Sequence, residues 1–374
     1  MKFPVQLTDK CVCKLPYYYF AGISHRKHVN ITRHKVLSNL YRRGLTTLSE
    51  NARFWKPPWR VLFFGTDDFS IPSLSMLYKE LEKDKLIRRL AVVTSLKAKK
   101  NPVRDFAIAN ELTVFRWPYH PIPGEYDIGL VASFGHLIPE RVIESFPLGM
   151  LNVHASLLPR WRGAAPIIYA ILNGDTETGI TIMQVEPRRF DIGKIVSQET
   201  CPISPVDTAV TVRARLADMG SQLLHSALQD LPHCLYKSVP QPESGITYAP
   251  RVTSALSLVD WKNMDAETVY NLYRALAGLY SLRTSWHGMM VKLFEPSLEL
   301  EVCDREQRTS NSWLLNTAGC VELDPTGNYL RVLCANKQWI GFRAIGVPGK
   351  KRMSPQDFYN GYISKHSAVE WIFT

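Results

Sequence analysis

Short apolar runs rich in β-branched and aromatic residues alternate with helix-like segments between residues 60 and 153. The first run, Arg60 to Phe64, is closed by Gly65 and precedes a helical stretch from about Ile71 to Glu82. Further strand-like runs follow at Leu90 to Thr94, Asp127 to Ala132 and Met150 to Val153. This alternation predicts an α/β fold with an open, mostly parallel, Rossmann-like sheet. Ligands of such sheets bind beyond the carboxyl ends of the strands.

The C-terminal part of the chain has a different pattern. A long helix is predicted over Ala209 to Leu231, followed by a Pro-, Ser- and Gly-bearing segment and a helix over Ala266 to Ala277. Short strands with turns then predict a small β-barrel of the OB-like kind. At 374 residues and 45% apolar content the chain can build two cores. We therefore predict a basic leader over 1–57, a sheet domain with the candidate site over 58–206, a helix and linker over 207–257, and the barrel over 258–374.

Most of the basic charge lies in the first 49 residues. The chain has 45 Lys and Arg against 34 Asp and Glu, and residues 1–49 hold nine of these basic residues and one acid, Asp9. A basic amphipathic helix over Ile31 to Leu48 is typical of a mitochondrial transit peptide, so we predict a mitochondrial matrix protein. The alternative is a basic arm that contacts nucleic acid. The sequence contains no run of about 18 apolar residues, so we expect no membrane span.

Cysteine and glycine usage argues against several kinds of site. The seven cysteines form no Cys-x-x-Cys pair and have no His at metal-ligand spacing, which indicates reduced thiols and no metal. The turn after the first strand, Gly65 to Phe69, has one glycine where a pyrophosphate loop needs three, and the sequence has no Walker pattern. We therefore expect neither NAD nor ATP at this sheet.

Three polar residues with complementary chemistry lie at and after the strand that begins at Met150. Asn152 and His154 are two positions apart, so their side chains point to the same side of the strand. An amide can donate to a developing oxyanion, and an imidazole can donate or carry a proton near neutral pH. Asp191 could hold the imidazole ring or accept a proton through water. Single residues of these types occur more often in turns and caps, but three in one segment predict an acyl-transfer site.

Asp191 follows His154 by 37 positions. The interval has room for a helix at Pro166 to Leu172 and a strand at Gly179 to Val185. We predict a βαβ crossover here that returns Asp191 to His154 at the same sheet edge.

The residues around this trio resemble those of the formyltransferases that use 10-formyltetrahydrofolate. The resemblance runs from about Trp59 to the C-terminus. It is carried by Asn152, His154, Asp191, Ser156 to Pro159 and Gly179 to Gln184. It is narrowed to the members that formylate methionyl-tRNA by Arg160 to Pro166, Thr247 to Pro250 and Gly349 to Met353, and the leader resembles that of the mitochondrial form.

The resemblance implies that 10-formyltetrahydrofolate is the formyl donor and that the α-amino group of methionyl-tRNA is the acceptor. It implies that Asn152, His154 and Asp191 are catalytic. The folate is then expected to contact two loops, Ser156, Leu157, Leu158 and Pro159 in one and Phe134, Gly135, His136, Leu137 and Ile138 in the other. His136 departs from bacterial relatives, which commonly carry an apolar residue there. A monomer is the default expectation.

Three groups of residues are candidate tRNA contacts. Lys97, Lys99 and Lys100 form a short loop where the family has a longer insertion that contains Gly and Arg. Arg160, Trp161 and Arg162 combine cations with a stacking ring next to the site. Lys350, Lys351 and Arg352 form a basic turn in the predicted barrel. Both lysine-rich runs could equally be solvated turns. Two other functions stay open: formyl transfer to a small amine or sugar nucleotide, and RNA binding without catalysis.

Overall fold

The computed structural model describes residues 55–95, 100–298 and 317–374. Nearly all of the predicted leader, 1–57, lies outside these residues, and so do Lys97 and Lys99. The described residues belong to one folding unit.

A seven-stranded sheet occupies the N-terminal part of the described chain. Its strands are β1 (Trp59–Gly65), β2 (Ile87–Thr94), β3 (Thr113–Arg116), β4 (Ile128–Ala132), β5 (Met150–His154), β6 (Glu177–Gln184) and β7 (Ile195–Pro202). They lie in the order β3-β2-β1-β4-β5-β6-β7, and the first five in this order are parallel. Strands β1 and β4 are almost wholly apolar and buried, as expected for the centre of a parallel sheet. The predicted open, mostly parallel sheet is confirmed.

The helices begin where local chemistry favours them. They are α1 (Ile71–Lys83), α2 (Pro102–Ala109), α3 (Glu140–Ile143), α4 (Pro166–Leu172), α5 (Ala209–Gln229), α6 (His233–Tyr236), α7 (Ala266–Leu276) and α8 (Pro355–Phe358). Thr208 forms a capping box at the start of α5, and Asp265 caps α7 by accepting from the N–H of Thr268. Three of the predicted helices, α1, α5 and α7, are confirmed to within two residues. Among the described helices, none combines the length and the apolar character that a bilayer crossing requires.

The connection from His154 to Asp191 differs from the predicted βαβ crossover. β6 runs antiparallel to β5, with His154 opposite Thr181 and Leu151 opposite Gln184. The helix between the two strands, α4, has seven residues and is about 10 Å long. Asp175, which follows α4, binds Arg160 and Trp161 next to His154, so the chain is still at the carboxyl end of β5 when β6 begins. The prediction of a parallel return was therefore wrong, and Asp191 lies in the loop that joins β6 to β7.

A five-stranded antiparallel sheet forms the C-terminal part. Its strands are β8 (Leu282–Trp286), β9 (Met289–Ser297), β10 (Val321–Leu323), β11 (Leu330–Leu333) and β12 (Trp339–Gly346). In the order β10-β11-β12-β9-β8 they curl into a half-barrel. Its core includes Trp261, Trp286, Phe342 and Phe373. The predicted small OB-like domain is confirmed in this half-barrel form.

A buried arginine joins the half-barrel to the sheet domain. Arg274 of α7 is 6% exposed, and its Nη1 donates to the backbone oxygens of Ser204 and Asp207 at 3.1 and 2.9 Å. Burial lowers the pKa of this guanidinium. Helix α7 also packs against α4, the helix that follows the candidate site.

Candidate active site

Strand β5 presents Asn152 and His154 at its carboxyl end. The two side chains share one face of the strand, because alternate residues of a strand point the same way. Met183 of β6 lies opposite Asn152, and Thr181 lies opposite His154. Asn152 is half-buried, whereas His154 is 5% exposed. The strand thus fixes a partly accessible amide next to an imidazole that is almost enclosed.

The His154 ring lies between two acceptor oxygens. Its Nδ1 is 3.5 Å from Oδ1 of Asp191, and its Nε2 is 3.0 Å from the backbone oxygen of Trp161. The first distance is longer than an ordinary hydrogen bond, as is common in catalytic sites without substrate. A ring with protons on both nitrogens can donate to both oxygens, whereas a neutral ring can donate to only one. The arrangement fixes the orientation of the ring at the end of β5.

Asp191 reaches this ring from the β6–β7 loop. Its backbone φ is 56°, in the left-handed region that residues other than glycine rarely adopt. Its Oδ2 accepts a hydrogen bond from the N–H of Gly163 at 2.9 Å, while Oδ1 faces His154. Gly163 has φ 125°, and a Cβ there would lie 2.5 Å from the carbonyl oxygen of Ala249. The structure therefore brings His154 and Asp191 together, and it needs a glycine at position 163 to do so.

Comparison with known proteins assigns this architecture to a family. The sequence matches two family models, a formyl transferase over residues 123–228 and a formyl transferase C-terminal domain over residues 251–363. Mitochondrial methionyl-tRNA formyltransferase of Mus musculus is 44% identical over 313 residues, which cover 82% of this chain and 79% of the mouse protein. The chain belongs to the methionyl-tRNA formyltransferase family. The methionyl-tRNA formyltransferase of Gluconobacter oxydans is 33% identical over 316 residues, with 81% of this chain and 96% of the bacterial protein covered.

Solved structures share the fold of this formyltransferase. WlaRD, a sugar 3N-formyltransferase crystallised in the presence of dTDP and 5-N-formyl-THF, has a TM-score of 0.56 at 20% identity over 79% of this chain and 100% of its own. HypX of Aquifex aeolicus, in complex with tetrahydrofolic acid, has a TM-score of 0.52 at 17% identity over 82% of this chain and 48% of its own. At these identities the similarity establishes the fold alone.

The candidate folate residues of the formyltransferase divide into a buried and an accessible set. The buried set is Phe134, Ile138, Ser156 and Leu158. The accessible set is Gly135, His136, Leu137, Leu157 and Pro159. The Ser156 hydroxyl donates to the backbone oxygen of Arg160 at 2.6 Å, so it shapes the loop from inside. In residues 55–95, 100–298 and 317–374, no group of three or more His, Cys, Asp or Glu is arranged to hold a metal ion.

Asp175 binds two of the predicted tRNA-contacting side chains of the formyltransferase, the exposed Arg160 and the buried Trp161. Arg160 donates to its carboxylate at 2.8 and 2.6 Å, which raises the pKa of the guanidinium. Nε1–H of Trp161 donates to the same carboxylate at 2.7 Å, and Trp161 is 7% exposed. Arg160 also lies 4.3 Å above the Trp161 ring. The sequence predicted Trp161 as a stacking ring for tRNA, and the structure places its indole in the interior with the N–H paired to Asp175.

The remaining basic candidates lie at the surface. Lys100 is exposed just before Asn101, the N-cap of α2. In the half-barrel, Lys351 is exposed, Nζ of Lys350 is 5.4 Å from the Tyr362 ring, and Arg352 stacks 3.8 Å from the Phe294 ring. Arg162 is half-buried, and its guanidinium contacts Gln241.

Residues 237–250, here called the crossover segment, contribute to the site although the sequence indicated a linker. Thr247 Oγ1 accepts from the N–H of Trp161 at 2.8 Å, and its backbone oxygen accepts from the N–H of Arg162 at 2.9 Å. Gln241 contacts both Arg162 and the Asp191 loop. The segment lacks hydrophobic periodicity and is rich in Pro, so composition alone gave no signal for Gln241. The family resemblance at Thr247 to Pro250 was the one feature of the sequence that linked this segment to the site.

Proposed function

We propose that this protein transfers the formyl group of 10-formyltetrahydrofolate to the α-amino group of methionyl-tRNA, giving N-formylmethionyl-tRNA for translation initiation in mitochondria. The observation that carries the proposal is the contact between His154 and Asp191 at the end of β5, with Asn152 on the same strand face. An amide, an imidazole and a carboxylate supply the donors and the proton-transfer groups that acyl transfer between two nitrogens needs. The family relationship supports the choice of the two substrates.

The reaction forms a carbon–nitrogen bond to the amine and breaks the one to the folate nitrogen. Asn152 donates to the formyl oxygen as negative charge develops there, and His154 supplies a proton to the departing nitrogen. Asp191 orients the His154 ring and takes up, through water, the proton that the amine gives away. An α-amino group has an ordinary pKa of about 7.7 to 8.0, so part of it is already neutral and no strong base is needed. No covalent intermediate with the protein is required.

Exposed aromatic residues next to the site suit the acceptor end of the tRNA. Phe190 precedes Asp191 and is 54% exposed, and Tyr248, which bridges to Arg162, is 67% exposed. Unpaired bases stack on such rings, and the exposed Arg189 adds positive charge. We assign the 3′ end of the tRNA to these residues in place of Trp161. Phosphate contacts are proposed for Lys97, Lys99, Lys100, Lys350, Lys351 and Arg352.

The folate is proposed to lie against the accessible set of its candidate residues, Gly135, His136, Leu137, Leu157 and Pro159. The half-buried Asn152 faces the reacting end, and the buried set holds the two loops in shape. This donor set fits a formyl donor, because it provides an apolar wall and uncharged donors at the strand end.

A mitochondrial location is supported by relatives and by composition. Mouse, human, bovine and rat proteins named as mitochondrial are 42–44% identical to this chain. Residues 1–49 carry nine basic residues and one acid, which is typical of a transit peptide. We propose a matrix enzyme with a cleaved leader within 1–57 that acts as a monomer.

A formyl-transfer assay with the purified full chain tests the proposal. We expect N-formylmethionyl-tRNA from 10-formyltetrahydrofolate and methionyl-tRNA, and no product with uncharged tRNA. His154→Ala and Asp191→Asn should abolish turnover and leave tRNA binding, measured by filter retention, nearly intact. Product formed only with a small amine or an amino-sugar nucleotide would refute the proposal, and comparable losses in tRNA binding would contradict the assigned roles.

A further inference from the structure

We infer that Gln241 is a positioning residue for Asp191 and that the crossover segment is thereby part of the catalytic machinery. The inference rests on the proposed function, because it concerns the carboxylate to which we assign proton transfer. Gln241 and Asp191 are 50 positions apart in the sequence, and the side chain of the one meets the backbone of the other.

The side-chain amide of Gln241 forms hydrogen bonds to two loops through both its nitrogen and its oxygen. Its Nε2 donates to the backbone oxygens of Asp191 and Gly193, both at 2.9 Å. Its Oε1 accepts from Nε and Nη2 of Arg162 at 3.0 and 2.6 Å. A side-chain amide can donate two hydrogen bonds and accept two, so this geometry leaves no group of Gln241 for substrate. Gln241 therefore acts on the reaction through its neighbours.

These bonds close a ring around the Asp191 carboxylate. Arg162 precedes Gly163, whose N–H donates to Asp191 Oδ2 at 2.9 Å. Asp191 is thus held twice, through its side chain by the N–H of Gly163 and through its backbone by Gln241 of the crossover segment. A left-handed φ such as the 56° of Asp191 persists where the surroundings over-determine it. Gln241 supplies part of that constraint.

The crossover segment is itself held on both sides of Gln241. Before it, Val239 exchanges two backbone hydrogen bonds with Ile195 of β7, at 2.8 and 2.9 Å. After it, the N–H of Ala249 donates to the backbone oxygen of Arg162 at 2.7 Å. These anchors fix the point from which the Gln241 side chain extends, so its amide can place the Asp191 loop with little freedom.

Gln241→Glu separates the contact of Gln241 with Arg162 from its contact with the Asp191 loop. The carboxylate keeps the shape and the acceptors for Arg162 but loses both N–H donors to the Asp191 loop. We expect kcat for formyl transfer to fall by about tenfold, with KM for both substrates within about twofold of wild type. Gln184→Glu is the matched control, because Gln184 also donates across the domain, to the backbone oxygen of Leu235 and to Ser238, and has no bond to Asp191.

Amide hydrogen exchange provides a readout that does not need substrate. In Gln241→Glu, residues 185–194 and the N–H of Gly163 should exchange faster, whereas in Gln184→Glu they should keep their protection. Gln241→Met, of similar shape, is the second variant if the carboxylate prevents folding, and it should give the same loss in kcat.

Three results would overturn the inference. They are an unchanged kcat in both variants, a rise in the KM for methionyl-tRNA at constant kcat, and a lowered melting temperature with full activity per folded molecule. The second would make Gln241 a substrate contact, and the third would make it merely structural. A wild-type chain without formyl transfer to methionyl-tRNA refutes the proposed function instead, and the exchange data then still report whether Gln241 orders the loop.

Discussion

Asp175→Ala should destabilise the protein and slow formyl transfer, although Asp175 touches none of the proposed catalytic residues. The substitution removes the acceptor of Trp161 Nε1–H, and Trp161 is 7% exposed. A buried donor left without a partner costs about 1 to 3 kcal/mol. The lost pair with Arg160, whose side chain is 44% exposed, adds at most about 1 kcal/mol. We expect the free energy of unfolding to fall by about 1 to 4 kcal/mol, most of it from the indole.

The effect on catalysis follows from the backbone of Trp161. This residue has φ 62°, and its backbone oxygen is 3.0 Å from Nε2 of His154. When the indole is released, the backbone can relax from this conformation and the His154 ring loses one of its two acceptors. We therefore expect kcat to fall in Asp175→Ala while the KM for folate changes little.

Asp105→Ala is the matched control for this experiment. Asp105 also accepts from Nε and Nη2 of an arginine, Arg104, at 2.9 and 2.8 Å and both at Oδ1, but its side chain is 61% exposed. Urea denaturation followed by circular dichroism should show a loss below about 1 kcal/mol for this variant. In a Trp161→Phe background, which lacks the indole N–H, Asp175→Ala should cost less than in wild type. Equal losses for Asp105→Ala and Asp175→Ala would refute the reasoning.

Three further predictions concern the site and the thiols. Asn152→Ala should lower kcat by about 10² to 10³-fold, because the proposed role of Asn152 is to donate to the oxyanion; steady-state kinetics that show a change in KM alone would contradict this role. Gly163→Ala should lower the melting temperature, because φ is 125° and the new Cβ would meet the carbonyl oxygen of Ala249 at 2.5 Å, whereas Gly361→Ala, with open space around its Cβ, should not; similar melting curves would argue against the tight approach. Burial raises the pKa of Cys234 and Cys334 to about 12 and that of Cys320 to about 11. At pH 8, peptide mapping should therefore find these three thiols unlabelled by iodoacetamide in the native state and labelled in urea. Fast labelling of the native protein would contradict their burial.

The parts of the fold that depend on local pattern could be predicted from the sequence. The central strands and the long helices follow from apolar runs and helical periodicity, and the two-residue spacing of Asn152 and His154 places them on one strand face. The direction of β6 could not be predicted, because the apolar run from Ile180 to Met183 reads the same for a parallel and an antiparallel neighbour. The sequence therefore indicated that Asp191 meets His154 but gave the wrong path.

The sequence also could not predict the environment of side chains whose hydrogen-bond partners lie far away along the chain. Trp161 between two arginines resembles a stacking element for RNA, and the carboxylate of Asp175 explains how its indole N–H can be buried. Gln241 is a similar case, since its four hydrogen bonds reach residues 48 to 79 positions away. Tertiary hydrogen bonds of this range leave no periodic signal in a single sequence.

Arg274 has a consequence for how an extended RNA fits this molecule. A guanidinium in the interior, bonded to the backbone oxygens of Ser204 and Asp207, cannot slide or rotate without leaving buried charged donors unsatisfied. Helix α7 is therefore held firmly against the residues that precede α5, and through α7 the half-barrel keeps one orientation relative to the sheet. A substrate that contacts both parts of the molecule then meets a surface of fixed spacing, because the junction offers no loose hinge at this point.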